Sequence, residues 1–269
     1  APSVDGEGQN MPLSPAPDTG LRGTVEFRDV SLTYQGAEKP VLEGISFTAR
    51  PGETTAIIGS TGSGKSTLVN LIPRFFDATG GTVLVDGVDV RQLEQKQLRD
   101  KIGFVPQKAL LFRGTIRENI AYGKPTATDL EILEAAQTAQ ALDFIQQKPG
   151  GLEAPVAQLG QNFSGGQKQR LSIARALVRK PEIYIFDDSF SALDAKTDAA
   201  LRAALKRTTQ DATVLIVAQK VSTILDADRI IVLDGGGCVG MGTHRELLQS
   251  CPVYQEIVYS QMPAEEVGA

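Results

Sequence analysis

Long apolar runs, basic tracts and cysteine are all scarce in this sequence. No stretch approaches the ~20 consecutive apolar residues needed to cross a bilayer, and no charged-then-apolar leader opens the chain. A membrane role would therefore come through a partner or through a part of the gene product beyond these residues. Lys and Arg number 27 against 32 Asp and Glu, for a formal charge of -5. With no basic run interleaved with aromatics, that balance argues against a nucleic-acid or anionic-membrane surface. The two cysteines, Cys238 and Cys251, are too few for a disulfide scaffold and lack metal-ligand spacing. Free thiols in a reducing cytosol suit them. Histidine occurs once, at His244, between Thr243 and Glu246 at capping-box spacing, and reads as a turn residue.

What is present suffices for a substantial core. The 269 residues are 41% hydrophobic, enough for one large α/β domain or two small ones. Residues 1–21 are rich in Pro, Gly and acidic side chains and read as a linker, leaving 22–269 as the folded unit. From there strands and helices alternate. Val25 and Phe27 mark a first strand, and "ETTAII", "EIYIF", "TVLIVA" and "RIIVL" are short apolar runs of the kind buried on both faces of a parallel sheet. Between about Lys108 and Lys180 the pattern is mostly helical, with Thr128 and Glu131 forming a capping box, as in a helical subdomain inserted into the sheet.

Gly59-Ser60-Thr61-Gly62-Ser63-Gly64-Lys65-Ser66-Thr67 fits G-x-x-x-x-G-K-[ST]. A flexible Gly/Ser loop shares the composition, but not the apolar strand leading in and the helical "STLVNLI" leading out. In that setting the backbone N–H groups of the turn face an anion, Lys65 neutralises the β and γ phosphates, and the Ser66 hydroxyl binds Mg2+. A second segment, "NFSGGQKQRLSIARALVRKP", begins with Ser164 and Gln167 at capping-box spacing around two bare glycines, Gly165 and Gly166. Leu171, Ala174, Leu177 and Val178 form its apolar stripe, and Arg179 and Lys180 suit its C-terminus before Pro181. Its start reads either as another anion-binding helix end or as an ordinary well-capped helix.

Ser164-Gly165-Gly166-Gln167 resembles the signature motif of ATP-binding cassette proteins, and the surrounding motifs follow that family's order from Thr24 to about Gln261. The resemblance implies a P-loop NTPase (RecA-like) α/β fold with a mostly parallel sheet, an N-terminal antiparallel β subdomain and an inserted α-helical subdomain. It implies ATP and Mg2+, and a head-to-tail pair in which each ATP lies between one cassette's P-loop and the other's signature helix. Tyr34 matches the aromatic that stacks on adenine, although a strand tyrosine can equally be plain packing. Gln107 matches the glutamine that joins the metal shell, Asp187 the carboxylate that supports Mg2+, and Ser191-Ala192-Leu193-Asp194 the loop that communicates across the pair. "LFRGTIRENIAYGKP" and "GTHRELL" are similar to the export branch, whose cassettes follow a transmembrane domain in the same polypeptide on the cytoplasmic face of the cell membrane.

Two positions depart from that pattern. The usual general base is a glutamate after the Mg2+ aspartate, where this chain has Asp188. One methylene fewer withdraws the carboxylate by ~1.5 Å, and a misplacement of ~1 Å can cost ~100-fold. The intrinsic basicity difference is worth only ~0.5 kcal/mol, so geometry is the damage. The usual histidine after "IVA" is Gln219, which can hydrogen-bond a γ-phosphate but carries no titratable proton. Gln158 stands where exporters often carry glutamate. Paired losses beside an intact signature resemble the degenerate half of a heterodimeric exporter: a P-loop that binds ATP and hydrolyses it slowly, and a signature that completes a competent site on the partner. The alternatives are a nucleotide-sensing regulatory module and a chromosome or repair ATPase. The short span from Gly59 to Ser164 leaves no room for the long coiled coil of the latter.

Overall fold

In the computed structural model, which describes residues 21–262, the four apolar runs become the centre of one sheet. They are β3 (Thr54–Gly59), β9 (Ile183–Asp187), β10 (Thr213–Val217) and β11 (Arg229–Asp234). With β6 (Ile102–Val105) and β12 (Gly237–Gly242) they lie in the order β12-β11-β3-β10-β9-β6. All neighbours are parallel except the antiparallel β11–β12 pair. Strand side chains alternate between faces, and here both faces are apolar. Ile183, Ile185, Leu215, Val217 and Ile231 enter one core, while Tyr184, Phe186, Val214, Ile216 and Ile230 enter the other.

The first core is closed by an antiparallel sheet ordered β2-β1-β4-β5, built from β1 (Val25–Leu32), β2 (Leu42–Ala49), β4 (Gly80–Val85) and β5 (Val88–Asp89). Phe27 and Phe47 are cross-strand partners whose rings stack at 4.6 Å, a pairing that pins register. Helices α1 (Lys65–Asn70) and α2 (Gln95–Asp100) add Leu68, Val69 and Leu98 to the same core.

The second core is covered by helices. A small ribbon, β7 (Gly114–Thr115) with β8 (Pro155–Val156), accompanies α3 (Ile116–Ala121), α4 (Asp129–Thr138), α5 (Leu142–Gln147) and α6 (Gly165–Leu177). Helices α7 (Ala195–Thr208), α8 (His244–Ser250) and α9 (Pro252–Gln261) complete that layer. The expected α/β architecture is the one observed, with a mostly parallel sheet, an N-terminal antiparallel sheet and helices inserted between β6 and β9. Among the described residues no helix is long and apolar enough to cross a membrane. The linker expected over residues 1–21 lies outside the described residues, apart from Leu21.

Two local expectations need correction. Helix α6 ends at Leu177, not at Lys180: the Lys180 N–H turns back onto the Leu177 carbonyl at 3.0 Å and Lys180 adopts φ 49°. The residue before a proline is disfavoured in the right-handed helical region, so Pro181 unwinds the helix from outside it. His244 is not a turn residue but the first residue of α8. The Thr243–Glu246 capping box starts the helix there, and His244 Nδ1 lies 2.7 Å from Tyr254 Oη on α9.

Candidate nucleotide site

Parallel strands deliver their loops to one edge of a sheet, and the crevice outside their carboxyl ends is where α/β folds bind ligands. Here β3 runs into the glycine-rich turn, β6 into Gln107, β9 into Asp187 and Asp188, and β10 into Gln219. Residues Gly59–Gly62, Gly64–Thr67, Gln107, Asp188 and Gln219 line a common cavity of about 580 Å³. A larger groove of about 770 Å³ beside α4 and Pro181 holds none of these residues.

The turn depends on its glycines at two points. A Cβ on Gly59 would sit 2.1 Å from the Leu233 carbonyl oxygen of β11, so only glycine lets β3 and β11 close. Gly64 adopts φ 94°, and a Cβ there would meet the Val41 carbonyl and the Leu42 side chain at 2.9 and 2.7 Å. Gly64 also caps α1 without any side-chain hydrogen bond. The Lys65 ammonium folds back to donate to the carbonyls of Gly59 at 2.9 Å and Ser60 at 2.7 Å. Burial lowers its pKa, although Asp188 and Asp187 pull the other way. The Ser63 side chain is buried and its hydroxyl has no hydrogen-bond partner.

Behind the cavity the Ser66 hydroxyl donates to Asp187 Oδ1 at 2.8 Å. Burial raises the Asp187 pKa; the Ser66 bond and Lys65 oppose that, and the neighbouring Asp188 charge adds to it. Asp188 adopts φ 47°, a left-handed conformation that Asp tolerates better than most side chains. It is fixed on three sides. Its N–H donates to the Val217 carbonyl at 3.0 Å, and its own carbonyl accepts from Ser191 Oγ at 2.9 Å. Its Oδ2 accepts from both Gln107 Nε2 at 2.9 Å and Gln219 Nε2 at 2.7 Å. A carboxylate only accepts, so the two amides must present nitrogen to it, and Gln107 Oε1 is not spent on that contact.

Ser66, Gln107 and Asp187 together offer hard oxygen donors of the kind Mg2+ takes. Among the described residues no group of three or more His, Cys, Asp and Glu could hold a metal unaided. Mg2+ ordinarily binds through one or two carboxylates together with phosphate and water, so this donor set fits an ion that arrives with a nucleotide.

Tyr34 stands beside the cavity without lining it. Its hydroxyl lies 3.0 Å from Thr67 Oγ1, and its ring meets Phe76 edge-on at 5.4 Å while remaining 38% exposed. The Ser164–Gln167 segment is not part of the cavity. It starts α6 with a closed capping box: Gln167 N–H donates to Ser164 Oγ at 3.2 Å, and Ser164 N–H to Gln167 Oε1 at 3.1 Å. Gly166 abuts the loop after Asp188, where a Cβ would meet the Ala192 carbonyl at 3.1 Å, whereas a Cβ on Gly165 would meet nothing. Asp194, in that loop, caps α7 by accepting from the Thr197 N–H. Gln158 is exposed in a short 3₁₀ turn.

Sequence reasoning missed the residues that hold the site in place. Ser189 Oγ donates to the Val105 carbonyl, tying the end of β9 to that of β6. Buried Gln169 on α6 donates to the Pro106 carbonyl at 3.1 Å, next to Gln107. Ile257, Ser260 and Gln261 of α9 also line the cavity. Gln169 gave no local signal, because two positions from Leu171 lie on the far side of a helix from its apolar stripe, where a polar residue is ordinary.

Comparison with known proteins agrees with this geometry. The family model described as ABC transporter matches residues 42–191. An uncharacterized ABC transporter ATP-binding protein of Mycobacterium tuberculosis is 51% identical over 255 residues, covering 94% of this chain and 44% of the relative. A Bacillus subtilis protein named for multidrug export, an ATP-binding/permease protein, is 45% identical over 88% of this chain and 41% of its own length. A solved bacterial Atm1-family ABC exporter with ATP bound superposes with a TM-score of 0.87 at 39% identity, over 90% of this chain and 42% of that one. The chain thus spans less than half the length of these relatives. With the P-loop at the end of a central parallel strand, a P-loop NTPase sheet around it and a family match that spans the P-loop and Asp188, the chain belongs to the ABC transporter family, of which it carries the ATP-binding domain.

Proposed function

We propose that this domain is the ATP-binding and hydrolysing engine of an exporter, joined to a transmembrane domain at the cytoplasmic face of the cell membrane. It pairs head to tail with a second, different cassette. Its own P-loop site binds Mg-ATP and turns over slowly, while Ser164–Gln167 completes the competent site of the partner. The export names of its relatives support the first statement.

The observation that carries the asymmetric reading is the Asp188 carboxylate held by two amides. Hydrolysis needs a group that takes a proton from water as its oxygen attacks the γ-phosphorus. Two N–H donors occupy Oδ2, so proton acceptance falls to Oδ1 of a side chain already one methylene short. Gln219 has two amide hydrogens: one is spent on Asp188, and the second remains for the γ-phosphate. Lys65, by trading its two carbonyl partners for phosphate oxygens, supplies ground-state binding. When bound, Mg2+ would be held by Ser66, Gln107 and Asp187 and would neutralise phosphate charge.

The test is calorimetric titration of the chain with Mg-ATP alongside a turnover assay. Binding with little turnover is expected, and Lys65→Ala should lower affinity by about a hundredfold, since charge-assisted hydrogen bonds are the stronger kind. Turnover as fast as that of a cassette with glutamate and histidine would refute the slow-site assignment. Binding with no turnover at either site of the assembled pair would make the domain a regulator.

A further inference from the structure

Helix α9 contributes more than a wall to the cavity. Tyr254 and Val258 are fully buried on its inner face. Gln261 follows at the next position of the same stripe, because residues i, i+4 and i+7 share one side of a helix. An amide stands where that spacing calls for an apolar side chain, and both of its polar ends are used. Gln261 Nε2 donates to the Gln219 carbonyl at 2.8 Å, and Gln261 Oε1 accepts from the Val221 N–H at 2.8 Å. Val221 opens a 3₁₀ turn (Val221–Thr223), so its N–H has no partner within that turn, and the amide serves as its cap. One side chain therefore grips the backbone on both sides of Lys220. The gripped residue is the one whose amide reaches Asp188 at 2.7 Å.

We infer that Gln261 is a positioning residue for the γ-phosphate end of the site, acting on Gln219 through this two-point grip; the inference rests on the nucleotide-site reading above. The grip fixes the backbone from which the Gln219 amide projects, and the second amide hydrogen is the one that would serve a phosphate. Its bonds go to Gln219 and Val221 and not to the glycine-rich turn that would hold the inner phosphates, so its loss should fall on ATP more than on ADP. It also makes the placement of α9, itself anchored by Tyr254 and Val258, a determinant of where Gln219 points.

The test measures Mg-ATP and Mg-ADP affinity by calorimetry for the wild-type chain, Gln261→Leu, Gln261→Glu, Gln219→Ala and the Gln219→Ala/Gln261→Leu pair. Gln261→Leu removes both bonds, and Gln261→Glu keeps the acceptor for Val221 while losing the donor to Gln219. Each should weaken ATP by about three- to tenfold, the worth of one ordinary hydrogen bond, and shift ADP less than about twofold. On the Gln219→Ala background, Gln261→Leu should change ATP affinity by less than about twofold, because its effect runs through Gln219. Equal losses for ATP and ADP, or none, in a wild-type chain that binds both would overturn this inference and leave the nucleotide site standing. A wild-type chain that binds neither nucleotide would overturn both. Glu, which keeps the size of Gln, separates a lost donor from a disturbed helix.

Discussion

The P-loop and the start of α6 are both glycine-rich entries to a helix, one without a side-chain cap and the other with one. At α1 the cap is Gly64, with no side-chain hydrogen bond, and the nearby Lys65 ammonium rests on carbonyls of its own loop. At α6 the reciprocal Ser164–Gln167 box meets the N–H groups of Ser164 and Gln167 and leaves those of Gly165 and Gly166 between them. The glycines differ in kind as well. Gly59 is forced by a carbonyl 2.1 Å from where its Cβ would lie, whereas Gly165 faces open space and no steric demand within this chain explains it. A turn built from forced glycines around an uncapped end is organised for a ligand of its own. On the proposed reading, an exposed glycine with no neighbour serves a surface that arrives from outside.

The largest effect that can break this contrast comes from Gly165→Glu. It should leave this chain's Mg-ATP affinity within about twofold, since nothing packs on Gly165. In a reconstituted pair, partner turnover should fall by about a hundredfold, the cost of removing a preorganised donor and adding like charge beside phosphate. Asp188→Ala in the same assay should cost the pair little. If Asp188→Ala silences the pair while Gly165→Glu leaves it running, the slow and fast sites are exchanged.

An intermediate effect sharpens the P-loop side. Asp188→Glu restores reach but keeps the Gln219 contact, so it should recover only part of the turnover at this site. Side chains in direct contact couple by about 0.5–3 kcal/mol, and Asp188 and Gln219 are 2.7 Å apart. Asp188→Glu with Gln219→His should therefore raise turnover about tenfold or more, above the product of the single changes. Strict multiplicativity, read from single-site turnover in a pair whose other site is silenced, would show that the contact is idle.

The smallest effect compares two capping boxes of one design. Thr128 starts α4 with the same reciprocal bonds that Ser164 makes, with its N–H 2.9 Å from Glu131 Oε2. Thr128→Ala and Ser164→Ala should each cost about 1 kcal/mol in denaturant unfolding of the chain. Only Ser164→Ala should also slow the partner. Equal turnover for the two variants would reduce the α6 box to an ordinary cap.

Much of the fold is legible in the sequence because the central strands are buried on both faces. Runs such as "EIYIF" need no knowledge of their neighbours. The antiparallel partners β2 and β4 were not read, since "LEGISFTA" and "GGTVLV" carry glycine and alternate only in part, and their identity rests on pairing with β1. The candidate site divides in the same way. The P-loop is a continuous string whose spacing is its chemistry. The grip on Asp188 comes from Gln107 and Gln219, 81 and 31 residues away. No local pattern announces that two amides and one carboxylate oxygen will meet. Gln261 was invisible for a further reason: its partners are a backbone carbonyl and a backbone N–H, which every sequence has.

The order of strands in the central sheet bears on how the domain is made. Strand β3, which ends in the P-loop, lies between β10 and β11, and the Thr54 N–H donates to Asp228, 174 residues later in the chain. At roughly 5–20 residues per second, a ribosome needs about 10–35 s to supply that distance. For most of that interval the segment "TTAIIG" has been synthesised without either of its sheet neighbours, as apolar chain with unpaired backbone groups. Nucleotide therefore cannot guide the early stages of folding. The cradle in its observed setting, with β3 paired on both sides, requires β10 and β11 to have been made.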